Sequence, residues 1–287
     1  MEKEVLESYH KAIEISDEVI KFAKTTIKEG ESVLIIAEKI ENKTKELGGK
    51  IAFPLNIGIN EVAAHFTPDA NDTSILKEND IVKIDIGVHI DGYIADRAFT
   101  ICIGKKSHPL IDAADKALNE ALKLIKAGTK VYEISEVVEN TLTELGFNPI
   151  RNLSGHRVDR FIEHAHPSIP NGKNTIQDEL ESDQVIAMEV FATTGSGLVK
   201  DSRPILIYEY SEDKPVRLWE ARKILDMAKN QFERLPFAKR WIKGISPVKL
   251  DLALMQLLEA EALNGHPILK EISNGLVAQS EETVIVK

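Results

Sequence analysis

Residues 28–48 read KEGESVLIIAEKIENKTKELG, and residues 126–146 read KAGTKVYEISEVVENTLTELG. At an offset of 98 residues the two segments match without a gap at Gly30/Gly128, Val33/Val131, Ile36/Ile134, Glu41/Glu139, Asn42/Asn140 and Gly48/Gly146, among others. Unrelated amphipathic helices share composition, but not identity at both ends as well as along the apolar face. The match therefore indicates an internal duplication. A second echo follows. LKENDIVKID (76–85) resembles LESDQVIAME (180–189), which sets Ile81 on Val185, Val82 on Ile186, Ile84 on Met188 and Asp85 on Glu189. The offset has grown to 104, which implies six extra residues between the two echoes in the second half.

Outward from the repeat, each half reads as two helices followed by strands. Val5, Tyr9, Ala12, Val19 and Ala23 recur at helical spacing, and a second helix runs from Val33 to Leu47, where Gly48 and Gly49 can end it. Leu110, Ala114, Ala117, Ala121 and Ile125 open the second half in the same way. Residues 81–103 are rich in Ile and Val around Asp91-Gly92, a β-hairpin pattern. Residues 216–264 carry ARKILDMAKNQFERL and KLDLALMQLLEAEAL, both helical, before strand character returns at Gly275–Val286. The expected class is α+β. One domain spans 1–287, with halves of about 1–105 and 106–287 and a helical insertion at 216–264.

Composition limits the function classes. The 287 residues include 36 basic and 46 acidic side chains, a net charge of −10. Such a chain is a poor partner for nucleic acid or an anionic membrane, and none is expected. Cys102 is the single cysteine, so no intrachain disulfide can form, which suits a reducing compartment. No apolar run approaches the roughly 20 residues of a membrane span, and MEKEVLESYHKAIE has no signal-peptide core. A soluble, cytoplasmic protein is expected, with a monomer as the default. Dinucleotide, P-loop, HExxH and nucleophile-elbow patterns are missing.

The chemistry-bearing residues lie on the apolar strands. In KIDIGVHIDGYIADRAFT (83–100), Asp85 sits between Ile84 and Ile86, and Asp96 follows Ile94 and Ala95. Glu189 lies in VIAMEVFA, and Glu281 and Glu282 precede the apolar end of the last strand. A lone acid on a strand can point to solvent. Acids at matching positions of two duplicated halves instead converge if the halves face each other across a pseudo-twofold axis. Converging carboxylates cannot all stay ionised without cations. Oxygen ligands with an added imidazole suit Mn, Fe or Co better than a structural zinc. His65 (NEVAAHFTP), His156 (NLSGHRVDR), and His164 and His166 (IEHAHPSIPN) are the candidate imidazoles. His10, His89, His108 and His266 read as structural or solvent-facing.

The segments AAHFTP, KIDIGVHIDGYIAD, NLSGH followed by His164-x-His166 and IPN, AMEVFAT and NGLVAQSE together resemble type II methionine aminopeptidase in its short archaeal form, within the M24 pita-bread metallopeptidases. The resemblance covers nearly the whole chain. It implies the pita-bread fold, two related αβ halves around an antiparallel sheet. It also implies two divalent metal ions (Co, Mn, Fe or Zn) held by Asp85, Asp96, His156, Glu189 and Glu281. Asp96 and Glu281 would bridge, Asp85 would serve one metal, and His156 with Glu189 the other. His65 and His164 match substrate-side histidines, and Phe53 an aromatic residue of the methionine pocket. Arg97, His166, Val190, Ser280 and Glu282 depart from the family pattern, and Glu282 is expected to face solvent.

The implied reaction is removal of the N-terminal methionine from nascent proteins and peptides with a small second residue. Two metals about 3.5–4 Å apart can deprotonate a bridging water. Glu189 would shuttle its proton, one metal would hold the α-amine, His164 would stabilise the oxyanion and His65 would bond the next amide. A nascent-chain substrate would bring the enzyme into proximity with the ribosome. An Xaa-Pro aminopeptidase of the same fold is the alternative, but such enzymes usually carry a large N-terminal domain, and here about 50 residues precede the first strand. A non-catalytic pita-bread binding protein would have lost ligands that this chain keeps.

Overall fold

The computed structural model describes residues 1–287. Two helices, α1 (Lys3–Thr26) and α2 (Val33–Glu46), open the chain, and two more, α3 (Pro109–Leu122) and α4 (Val131–Glu144), open the second half. Both ends of α2 and α4 differ by 98 residues, the offset of the sequence repeat. Ser32 caps α2 by accepting from the Ile35 amide. His108 does the same for α3 through Leu110, with Pro109 in the first turn.

The strands of the first half are β1 (Lys50–Ile59), β2 (Val62–Ala64), β3 (Ile81–Ile90) and β4 (Tyr93–Cys102). The second half contributes β5 (Asn148–Pro149), β6 (Ser154–Asp159), β7 (Ile162–Pro170), β8 (Val185–Thr193), β9 (Val199–Tyr210), β10 (Phe237–Ala238), β11 (Leu263–Glu271) and β12 (Val277–Ile285). The start of β3 and the start of β8 differ by 104, matching the second echo. Asp91 and Gly92 join β3 to β4 with φ of 51° and 92°, the paired positive values of a tight hairpin turn.

The large antiparallel sheet has the order β1-β3-β4-β12-β8-β6-β7, with β5 attached to β8. Its outer face is apolar and carries the four helices. Val82, Ile84, Ile86 and Val88 pack on Ile15 and Val19 of α1 and Ile36 and Ile40 of α2. Ile186, Met188, Val190 and Ala192 pack on Leu110, Ala114 and Ala117 of α3 and Val138 of α4. Each aliphatic side chain fully removed from water contributes about 1.5–3 kcal/mol. The structure is therefore α+β, with two αβ halves whose strands join in one sheet along β12.

A second sheet, in the order β10-β9-β11-β2, lies beside the first. Helices α5 (Trp219–Met227) and α6 (Pro247–Glu259) fall between β9 and β11 and pack on this sheet through Ile224, Leu225, Leu254 and Leu257. This region is tied to α2 by a buried polar cluster. Arg240 donates to Glu41 and to Thr67, and the Trp241 indole donates to the other Glu41 oxygen at 3.1 Å. No helix is long and apolar enough to cross a membrane.

Candidate metal centre

Sheet register places the candidate ligands. Asp85 on β3 pairs with Ala98 on β4, Ala98 pairs with Glu281 on β12, and Glu281 pairs with Glu189 on β8. Directly paired residues share a face, so Asp85, Glu281 and Glu189 form one row across the inner face. The next row, two residues along, holds Gly87, Asp96, Thr283, Ala187 and His156. Thr283 fixes this second row, accepting from the Asp96 amide and donating to the Asp96 carbonyl, both at 2.7 Å. Small residues at Gly87, Ala98 and Ala187 leave the space between rows open. At Gly87 the space is filled by Phe53, whose ring atoms lie 2.4–2.9 Å from where a Cβ would be.

The ligand atoms cluster in two groups, Asp96 with His156 and Glu281, and Asp85 with Glu189 and Glu281, each within 4.8 Å. Glu281 is common to both. Glu189 falls with Asp85, whereas the resemblance pairs it with His156. The cause lies next to them, because the Gln279 amide donates to Glu189 at 2.7 Å and to Asp85 at 3.3 Å. Gln279 is a candidate site residue that sequence reading passed over; it sits two places before Glu281 on the same face.

The donor set fits divalent cations. Asp85 Oδ1, Asp96 Oδ1 and both Glu281 oxygens are buried with no hydrogen-bond partner. Burial and mutual repulsion hold Asp96, Glu189 and Glu281 well above the usual carboxylate range, and burial lifts Asp85 to about 6. Unpartnered carboxylates packed this closely need cations to ionise together. Burial also pushes His156 down to about 3, so its imidazole is neutral and able to donate a lone pair.

The second sheet supplies the opposite wall. His65 follows β2 with φ of 62°, an uncommon backbone state for a non-glycine residue. Its Nδ1 bonds the Pro267 carbonyl at 3.2 Å. A neutral ring donating there leaves Nε2 as an acceptor, and burial pushes His65 down to about 3. His164 stands over His156 with ring centroids 4.4 Å apart. Its side chain is 52% exposed to the cleft, yet surrounding protein and His266 lower its pKa to about 4. On the inner face beside the ligands, Phe53, Ile94, Val158, Val185 and Leu235 form an apolar surface.

A model of metallopeptidase family M24 matches residues 7–286. The chain belongs to that family. It is 48% identical over 283 residues to a methionine aminopeptidase of Thermococcus onnurineus, covering 98% of this chain and 96% of the relative. Among solved structures, a thermophilic Arx1 superposes with a TM-score of 0.89 at 17% identity, covering 99% and 88% of the two chains. A methionine aminopeptidase from Thermotoga maritima superposes at 0.73 with 19% identity, covering 100% and 94%. These two likenesses speak to the fold, which is pita-bread.

The residues that depart from the M24 pattern avoid the inner face. Arg97, Val190, Ser280 and Glu282 each lie one residue from a ligand and so point outward. Glu282 does not face solvent freely: it accepts from Arg97 at 2.6 Å, and Arg97 also donates to Asp17 of α1 at 3.0 Å. Ser280 donates to Asp115 of α3, and Val190 is fully buried beneath α3 and α4. His166 is exposed, 3.5 Å from Asp178. His89 accepts from Gly92 in the hairpin and His108 caps α3, both structural as expected. His266 stands beside a candidate site residue, edge-on to His65 at 5.5 Å and 3.3 Å from Glu209. Its sequence neighbours belong to a strand far from the other histidines, and only the pairing of β11 with β2 brings it in.

Proposed function

We propose that this chain removes the N-terminal methionine from nascent proteins and peptides with a small second residue. The observation that carries this reading is Glu281, shared by two ligand groups on the inner face of an M24 fold. The archaeal relatives named methionine aminopeptidase support the substrate. Two divalent ions fit the donor set, drawn from Co, Mn, Fe and Zn. Asp85, Asp96, His156, Glu189 and Glu281 would hold them, and Glu281 alone belongs to both ligand groups.

Bound divalent metal supplies a nucleophile from water at neutral pH and polarises the scissile carbonyl. The chain's own residues do the rest. The apolar surface of Phe53, Ile94, Val158 and Leu235 binds the methionine side chain and excludes water. Glu189, held by Gln279, receives the proton released from water at its carboxylate. His164, neutral and open to the cleft, donates to the developing oxyanion, and the free Nε2 of His65 accepts from the next amide N–H.

The chain is read as one catalytic domain of two halves, about 1–105 and 106–287, with 216–264 as a helical insertion. It acts as a cytoplasmic monomer near the ribosome, binding neither nucleic acid nor membrane. Incubating metal-loaded protein with Met-Ala-Ser and with an Xaa-Pro peptide, and identifying the released residue, tests the function. Release of Met from the first alone is expected, and no release with any divalent metal would refute it.

A further inference from the structure

The inner face does not end at the apolar surface. Side chains on β3 alternate, so Asp85, Gly87 and His89 share that face, with His89 about 13 Å along the strand from Asp85. There the sheet borders a cavity of about 620 Å³, set between the α2–β1 junction, the β6–β7 turn and residues 230–243 of the insertion. That volume lies within the roughly 300–1,000 Å³ of small-molecule sites. None of the candidate metal ligands lines it. Leu235 does, and so forms a wall between this cavity and the apolar surface.

The polar lining is rich in donors. Lys45, Lys50 and Lys243 line the cavity, and Glu233 is its one acid. Lys43 of α2 pairs with Glu46, whereas none of these three lysines makes an ion pair. Lys45 sits in the last turn of α2, where a cation is favourable, but Lys50 and Lys243 lie on no helix. The adjoining cleft shares Phe161 and Glu233 and adds Arg160 and Arg234, again without ion pairs. In a chain of net charge −10 this is a local concentration of positive charge. His89 is the buried member of the lining. It is 5% exposed, and its Nδ1 accepts from the Gly92 amide at 3.0 Å. Burial and the charge of Lys50 push it down to about 4, so the ring is neutral and carries its proton on Nε2. No acceptor in the chain takes that N–H. A buried donor open to a cavity is matched by an acceptor that a ligand brings.

The remaining wall is flat and apolar. Phe232 stacks on Trp241 with centroids 5.7 Å apart and planes 19° apart, and both line the cavity together with Phe161. The indole bond to Glu41 fixes Trp241 in place.

We propose that this cavity is a second binding site, separate from the candidate metal centre, for a small ring-bearing phosphate of the mononucleotide class. The ring packs on Phe161, Phe232 and Trp241. Lys45, Lys50 and Lys243 hold the phosphates, and His89 Nε2 donates to an acceptor on the ligand. The lining is drawn from segments around residues 45–51, 89, 161 and 230–243, so no phosphate-binding motif marks it in the sequence. Binding here requires neither metal nor peptide.

Calorimetric titration of the full chain, without and with Mn2+, tests this with ATP, adenosine and tripolyphosphate as probes. ATP should bind without Mn2+, with a dissociation constant on the order of 10 μM. Adenosine and tripolyphosphate should each bind at least about tenfold more weakly, since each keeps only part of the contacts. Lys50→Met combined with Lys243→Met, both at exposed positions, should weaken ATP by more than about tenfold. His89→Asn keeps an acceptor for Gly92 but removes the Nε2 donor, and should weaken ATP about three- to tenfold. Lys105→Met combined with Lys106→Met, at exposed lysines past the far end of β4, should leave ATP affinity unchanged. Tripolyphosphate binding as tightly as ATP, or an equal loss in the Lys105 and Lys106 variant, would reduce the effect to surface charge and overturn the site. So would the absence of ATP binding at millimolar concentration, or unchanged affinity in the Lys50 and Lys243 variant. ATP binding that appears only with Mn2+ would place the ligand at the metal centre and refute the proposal. Tighter binding of single-stranded RNA than of ATP would assign the surface to nucleic acid and overturn it as well.

Discussion

Arg97 and Glu282 are hydrogen-bonded at 2.6 Å on the face of the sheet opposite the candidate metal ligands. Each is unusual beside its ligand, Asp96 or Glu281, and each accounts for the other. Arg97 is nearly buried, and Asp17 of α1 holds its second nitrogen. The pair thus links β4, β12 and α1 directly behind the metal rows. Removing either partner leaves a partly buried charge uncompensated. Arg97→Met and Glu282→Gln should each cost about 1–2 kcal/mol, discounted for the partial exposure of the acids. The double variant should cost less than the sum by about 1 kcal/mol, measured by denaturant unfolding. Strict additivity would show the pair to be uncoupled.

Metal binding should depend on Glu281 more than on any other ligand, because both groups share it. Titration of Mn2+ into Glu281→Gln should show loss of both binding events. Asp85→Asn should weaken one and leave the other measurable. Gln279→Leu keeps every ligand but frees Glu189 and Asp85, and its metal affinity should fall about ten- to hundredfold, as for other residues that orient ligands. Wild-type affinity in Gln279→Leu would argue against an orienting role.

The pH dependence has a definite sign. Asp85, Asp96, Glu189 and Glu281 have raised folded-state values, so without metal the folded chain binds more protons than the unfolded chain. Their stabilising contribution is present below about pH 4 and is lost as pH rises, for Asp85 through about 6. His65 and His156, pushed down to about 3, act the other way and cost stability as pH falls below about 6.5. Metal removes the first effect, leaves that of His65 and deepens that of His156, which must stay neutral to bind it. The rise in melting temperature on adding Mn2+ should therefore be larger near pH 7.5 than near pH 5. An equal rise at both values would contradict this account.

His164 and His65 should separate chemistry from metal binding. His164→Ala should lower kcat by about 10²–10³, the usual effect of losing an oxyanion donor, with Mn2+ affinity within a few-fold of wild type. His65→Ala should act more on KM, since it is assigned to the peptide beyond the scissile bond. Loss of metal in either variant would show that the histidine is a ligand.

The duplication was legible because it preserves helix bounds and strand starts at constant offsets, and from it the convergence of Asp85 with Glu189 followed. The family motifs added His156, His65, His164 and Phe53. Gln279 and His266 were not legible, for separate physical reasons. Gln279 carries no charge to mark it within an apolar strand. His266 reaches the cleft by a pairing between strands some 200 residues apart, since Leu269 pairs with Ala64. Glu282 points away from the candidate site with its side chain 37% exposed, but its partner Arg97, 185 residues away, was not legible because only the sheet brings the two together.

The position of β12 has a consequence for how this protein comes into being. It follows every other strand in chain order, yet it lies in the middle of the sheet, between β4 and β8. Both earlier halves must wait with an open edge for it, which makes closure a long-range and slow event. Since β12 also carries Glu281, the row of candidate ligands is complete only once that strand is in place.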